Sequence, residues 1–349
     1  MKKIKVSKYI ILLPIVILLL ISNITMYSST DLGQKQLIFS LLTIGIILAI
    51  QKINIKWIIN HSFLFYILNL FLLGIVLVIG KETNGAKAWL DFHYFKFQPS
   101  ELMKITLLFY LIHLNSKKRN IFLLLLVTFI PSVLTYLEPD TGAIIIYLII
   151  FLSALFYSKV NKKHIVFLSL GTIIAILSLC MLYFQFQDTF IKLFGTSIFY
   201  RIDRLIDFSK QDNIQITNAL ISIGAHNTLY FPEYHNDFIF AFILSKFPIF
   251  LTLFVLSCYA LIFWYLLKKK NPIYTATLFI TLFQTFYNML MNIGLVPIIG
   301  IPLPFLSYGG SYLISFSILF GIVINIYSKD NSYMGIHNYS KDKNHKKGN

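Results

Sequence analysis

Glu233, His235 and Asp237 crowd one short stretch where a polar segment gives way to an apolar run. A carboxylate at that border can face water while a helix begins behind it, so Asp237 can exchange a proton with a ligand. The same position also suits a plain helix N-terminal carboxylate stabilised by the helix dipole. Glu233 lies four residues earlier. If the helix started early, the two carboxylates would share a face and could do paired acid and base work. Pro232 instead points to a turn just before it, which makes Glu233 a site-shaping residue and His235 a hydrogen-bonding loop residue.

A second group could handle anions. Lys104 stands inside an apolar run, three residues after Glu101 on the same helical face. The two are either an ion pair within the membrane or a cation held ready for an anionic ligand. Pro99 suits a helix start, where its missing N–H would be unpaired anyway. Ser100 and the neighbouring amides would then meet an anion at the helix N-terminus. Arg201 opens Arg-Ile-Asp-Arg-Leu-Ile-Asp. Its guanidinium can bind a phosphate bidentately, and the alternative is a solvated amphipathic helix with ion pairs among Arg201, Asp203, Arg204 and Asp207.

These residues must be positioned by membrane helices. Of 349 residues 57% are hydrophobic and 13% charged, and the mean hydropathy is +0.74, whereas soluble domains are about 25% charged. Apolar cores run near 9–26, 37–50, 62–80, 99–114, 121–137, 142–157, 165–186, 238–267, 272–296 and 307–327, which predicts an all-α chain of about ten transmembrane helices. The first core follows a cluster of lysines but no Ala-x-Ala-like site, so it reads as a retained helix. Alternate segments share the Lys and Arg unevenly, with twenty of the 30 on the side of both termini and eight on the other. The positive-inside rule then makes both termini cytoplasmic. The net charge of +16 thus reports topology and a lipid bilayer, with no nucleic-acid partner. One domain, 1–327, carries a long external loop over 185–236, and a basic cytoplasmic tail follows over 328–349. Cys180 and Cys258 fall in apolar runs, as buried free thiols do. The segment Gly300 to Ser311, with Pro302, Pro304, Gly309 and Gly310, would break a helix at membrane depth, and irregular backbone there is tolerated only when buried in protein or lining a cavity; it reads as a re-entrant cavity wall or as a purely architectural element.

Five blocks in order resemble one family. They are Met26-Tyr27-Ser28-Ser29; Gly85-Ala86-Lys87-Ala88-Trp89-Leu90 leading into Phe97-Gln98-Pro99-Ser100-Glu101-Leu102-Met103-Lys104; Glu138-Pro139-Asp140-Thr141-Gly142; Phe231-Pro232-Glu233-Tyr234-His235-Asn236-Asp237-Phe238; and Gln284, Asn288, Gly294 and Pro297 before Gly300-Ile301-Pro302-Leu303-Pro304-Phe305-Leu306-Ser307-Tyr308-Gly309-Gly310-Ser311. They are similar to the SEDS family (shape, elongation, division and sporulation) of RodA, FtsW and SpoVE. The resemblance implies a GT-C-like membrane glycosyltransferase of the bacterial cytoplasmic membrane that joins lipid II disaccharides into peptidoglycan strands at the outer face, beside a class B penicillin-binding protein. It marks Asp237 as the catalytic base. It makes Lys104 and Arg201 pyrophosphate ligands, with Glu101 holding Lys104 in place, and it adds Gln98, Ser100, Gln215, Glu233 and His235 as substrate-binding residues. A divalent cation, magnesium or manganese, is compatible with a pyrophosphate substrate, although no ligand spacing here demonstrates one.

Two departures fall near Asp237. The stretch between Asn227 and Phe231 is shorter than in relatives, and Ser245-Lys246 stands where they carry adjacent glutamates, which places a basic residue inside the predicted span. The rivals are a lipid II flippase, for which intramembrane charges and broken helices also suit, and a non-catalytic partner of a penicillin-binding protein.

Overall fold

The computed structural model describes residues 9–27, 32–83, 86–92, 95–117, 120–158, 178, 181–196, 214–225 and 233–328. Its helices are α1 Tyr9–Tyr27, α2 Gly33–Ile50, α3 Ile55–Asn60, α4 Ser62–Ile79, α5 Pro99–Ser116, α6 Ile121–Leu137, α7 Thr141–Phe156, α8 Gln187–Phe194, α9 Ile214–Ala225, α10 Ile239–Lys246, α11 Ile249–Leu267, α12 Pro272–Asn292 and α13 Gly310–Ser328. Among the described residues, α1, α2, α4, α11 and α13 are long and apolar enough to cross a membrane. The chain is an all-α polytopic membrane protein. Arg201, Asp203, Arg204, Asp207, Cys180, the tail after Ser328 and most of the predicted span 165–186 lie outside the described residues.

The centre of the bundle is α5, buried on nearly every side between α4, α7 and α13. A helix enclosed this way shows no amphipathic stripe. The neighbouring α12 turns its polar side chains, from Thr277 to Asn292, inward, the direction expected where the alternative is hydrocarbon. At one end of the bundle Asn325 Nδ2 donates to the Ile50 and Ile53 carbonyls, at 2.7 and 2.8 Å, closing the end of α2.

Two expectations need correction. The predicted span 238–267 is two helices. Phe247 and Pro248 separate α10 from α11, since proline has no N–H for the ladder and its ring clashes with the preceding turn. Lys246 therefore ends a short helix as an exposed residue, its Nζ 5.2 Å from the centroid of the Phe242 ring, and is not a charge buried within a span. The segment after α4 lies between two predicted spans and is not irregular. It forms a small antiparallel sheet of β1 Lys81–Thr83, β2 Ala86–Asp91 and β3 Lys96–Phe97 in the order β1-β2-β3. Lys81 pairs with Trp89 and Leu90 with Phe97. Ala88 and Leu90 alternate inward and are buried, the period of two expected of a half-covered strand.

The Gly/Pro-rich stretch between α12 and α13 is non-helical, as expected. Phe305 has φ 63°, a backbone state that disfavours bulky residues. It is held there by its side chain, fully buried against Phe316 and Phe320, and by its N–H, which donates to Tyr312 Oη. Ser22 of α1 donates to the Leu306 carbonyl at 2.6 Å, and Gln36 of α2 donates to Ser22 at 2.8 Å, so the stretch is tied into the bundle.

Candidate active site

The sheet, the Glu138–Asp140 corner, the 233–238 turn and the stretch 299–312 enclose a cavity of about 540 Å³ at one end of the bundle. Gln98, Glu101, Lys104, Glu233 and Asp237 line it, as do Lys35 and Lys96, to which the sequence assigns no role, and Asp140 and Gln284, which figure in the sequence only as members of the family blocks.

Asp237 stands in a turn, since helix begins only at Ile239. Glu233, with φ 59°, is therefore not a turn of helix away on a shared face, although both carboxylates reach the cavity. The Asp237 backbone carbonyl accepts from Asn288 Nδ2 and Asn292 Nδ2, both at 2.8 Å. Asn292 Oδ1 also accepts from Ala241 N–H at 2.8 Å. This supplies from another helix the cap that Phe238, at the start of α10, cannot provide. Gly300 passes beside the Asp237 carboxylate with φ 66°, and a Cβ there would sit 3.7 Å from Oδ2. Only a residue free to take positive φ keeps this approach unstrained. Among the described residues no hydrogen bond engages the half-buried Asp237 carboxylate. Burial first, then the negative charges of Glu233 and Asp140, push its pKa up to about 7. That is the range in which a general base works best at neutral pH.

Asp140 organises the opposite wall. It caps α7 by accepting from Ala143 N–H at 3.0 Å, and its Oδ2 accepts from Gln98 Nε2 at 2.9 Å and Ser100 Oγ at 2.8 Å. The anion at the start of α5 is thus the protein's own carboxylate, which Gln98 and Ser100 both engage, and Ser100 is fully buried. An aspartate directly before Thr-Gly-Ala and an apolar run is an N-cap signature, the signal that could have drawn attention to it. Gly142 lets this corner close on the neighbouring stretch, since a Cβ there would come within 3.0 Å of the Ile299 carbonyl.

Lys104 is paired. Its Nζ lies 2.6 Å from Glu101 Oε1, both side chains are almost wholly buried, and Ser315 Oγ donates to Glu101 Oε2 at 3.2 Å. Its charge is compensated before any ligand arrives. Lys35, in the first turn of α2, and Lys96, in β3, are exposed at the cavity and meet no acidic partner among the described residues. Ser311 fixes the strand that carries Lys96, donating to the Lys96 carbonyl and accepting from Gln98 N–H, each at 3.0 Å.

His235 is a linking residue. Its carbonyl accepts from Tyr308 N–H at 2.9 Å and its ring packs edge-on to Tyr308. Burial holds its pKa below the usual histidine range, against the opposing charge of Glu233. Gln215 sits on α9 and does not line the cavity. Among the described residues no three His, Cys, Asp or Glu side chains are placed to hold a metal ion.

The fold and the site define a polytopic helical membrane protein with carboxylates and lysines around a cavity at one end of its bundle. The family model for cell cycle proteins FtsW, RodA and SpoVE matches residues 4–332. The chain belongs to that family. It is 30% identical over 292 residues, 73% of its length and 78% of the relative's, to a probable peptidoglycan glycosyltransferase FtsW of Buchnera aphidicola. It is 26% identical to the peptidoglycan glycosyltransferase MrdB of Escherichia coli K12, covering 91% of this chain and 92% of that one. Its fold matches a chain of a peptidoglycan synthase complex that coordinates polymerization and crosslinking, with a TM-score of 0.77, 21% identity and coverage of 92% and 98%. It also matches the rod shape determining protein RodA of Thermus thermophilus, with a TM-score of 0.66, 21% identity and coverage of 91% and 95%.

Proposed function

We propose that this protein is a peptidoglycan glycosyltransferase that polymerises lipid II at the outer face of the cytoplasmic membrane, with both termini in the cytoplasm. The observation that carries the reading is the Asp237 carboxylate, held by its backbone, unengaged at its side chain and raised to about 7. In this reading Asp237 takes the proton from the acceptor sugar hydroxyl as the oxygen attacks the anomeric carbon of the donor. The bond from that carbon to the pyrophosphate breaks, and the undecaprenyl pyrophosphate leaves with the electron pair.

The departing negative charge needs compensation. Lys35 and Lys96 are placed for it, with Arg201, outside the described residues, as a further candidate. Lys104 contributes by pairing with Glu101 in the cavity wall. No step is assigned to a divalent cation. The fold shared with a synthase-complex chain supports a class B penicillin-binding protein as partner, and the apolar helices support a bilayer setting with lateral entry of substrate.

The test is polymerisation of lipid II by the purified protein, with and without a candidate partner, beside Asp237→Asn. A positioned base contributes roughly 10²–10⁴-fold, so the near-isosteric Asn variant should make no detectable polymer while keeping its membrane level and partner binding. Undiminished polymer from Asp237→Asn would remove the assigned role. Movement of lipid II across the membrane without polymer from the wild type would favour a flippase.

A further inference from the structure

Gln284 lies in the middle of α12 on the same inward face as Asn288 and Asn292. Those two use their amides on the carbonyls of Asp237 and Ile301 and on Ala241 N–H. Gln284 lines the cavity, has no exposure, and among the described residues neither its Oε1 nor its Nε2 has a hydrogen-bond partner. Asn288 is four residues on, roughly 6 Å along the helix. The free amide therefore lies about one turn from the side chain that fixes the proposed base.

A primary amide shut away from water with both ends unpaired is destabilising. It becomes favourable when a ligand supplies a donor or an acceptor, and in a low-dielectric recess such a bond is stronger than in water. The same cavity presents Ala143 and Ile146 of α7 and, from the connecting stretch, Ile301. A group that matches all of these carries an N–H, a carbonyl and a methyl in a small volume. An acetamido substituent is such a group, whereas a sugar hydroxyl would leave the apolar wall uncovered.

We propose that Gln284 recognises an acetamido group of the sugar substrate, hydrogen-bonding its N–H or carbonyl while the methyl packs on the aliphatic wall. The proposal rests on the glycosyltransferase reading of this cavity. It makes Gln284 a specificity residue, distinct from the base and from the lysines.

The test uses the full-length protein, Gln284→Met, and lipid-linked disaccharide pyrophosphates in which each acetamido group in turn is replaced by hydroxyl. Wild type should lose roughly ten- to a hundredfold in kcat/KM on one of the two analogues, the cost of leaving a buried amide unpaired. Gln284→Met, similar in volume and without polar atoms, should use that analogue and the acetylated precursor almost equally. Its melting temperature without substrate should equal or exceed that of wild type, because an unpaired buried amide has been removed. Discrimination between the two precursors that survives in Gln284→Met would overturn the inference, as would a lowered melting temperature, the mark of a structural amide. Failure of the wild type to polymerise the acetylated precursor would instead overturn the function on which the inference rests.

Discussion

Asn292 holds Asp237 by its backbone, donating Nδ2 to the Asp237 carbonyl at 2.8 Å, and with its other amide atom caps the helix that begins two residues later. The carboxylate is thus aimed without being engaged. Asn292→Ala should lower kcat by about ten- to a hundredfold, as expected when a reacting group is misplaced by about an ångström. The acidic limb of the pH profile should stay where it is, because the burial of the carboxylate is retained. An unchanged kcat in a steady-state polymerisation assay would sink the positioning role.

The pH profile follows from the raised pKa. Asp237 is protonated below about 7 and becomes a base above it, so activity should rise with pH and reach half its plateau near pH 7. Glu233→Gln removes a nearby negative charge that helps to raise this pKa, while its side-chain oxygen can still accept from Asn236. The limb should move to lower pH. A shift to higher pH, or none, would contradict the electrostatic assignment.

Lys104→Met leaves Glu101 buried without its cation, and breaking a buried pair in this way typically costs about 3–5 kcal/mol. The variant should melt well below wild type in detergent, and the double change Glu101→Gln with Lys104→Met should recover much of the loss. Wild-type melting of the single variant combined with weakened lipid II use would restore Lys104 as a direct ligand.

Lys35→Gln and Lys96→Gln should each raise KM for lipid II with little change in melting temperature, since both side chains are exposed. The defect should shrink at high salt, where exposed charges are screened. A salt-independent KM equal to wild type in both variants would exclude them from pyrophosphate binding.

Glu138 is fully buried and neither carboxyl oxygen has a hydrogen-bond partner among the described residues. Burial, with a smaller contribution from Asp140, pushes its pKa up to about 9 from 4.5. The folded state therefore holds a proton that the unfolded chain releases above about 4.5, so this group favours folding at low pH and that contribution is lost as pH rises toward 9. Glu138→Gln removes the dependence. Its melting temperature relative to wild type should climb between pH 5 and 9, and a constant difference across that range would refute the assignment.

The sequence by itself determined the membrane class, the position of most helices and the residue on which the chemistry is proposed to turn. These are local properties. About 20 apolar residues in a row make a span, and the block around Asp237 lies within a few consecutive positions. What only the tertiary structure decided are relationships between distant segments. Hydropathy read straight through Phe247–Pro248, because α10 and α11 are both apolar and a proline within an apolar run can kink a membrane helix as well as end it. It also could not show that α5 is enclosed on all sides, since lipid and protein interior select the same side chains and leave no periodicity. That Gln98 and Ser100 grip Asp140, some forty residues away, depends on how α5 and α7 pack, and that the Glu101–Lys104 pair, local to α5, is buried beside Ser315 depends on how α13 covers it. Lys35, Lys96 and Gln284 reach the cavity for the same reason: the first two have unremarkable places in the chain, Gln284 figures only as a member of a family block, and only the packing of α2, the small sheet and α12 around one recess brings them to it.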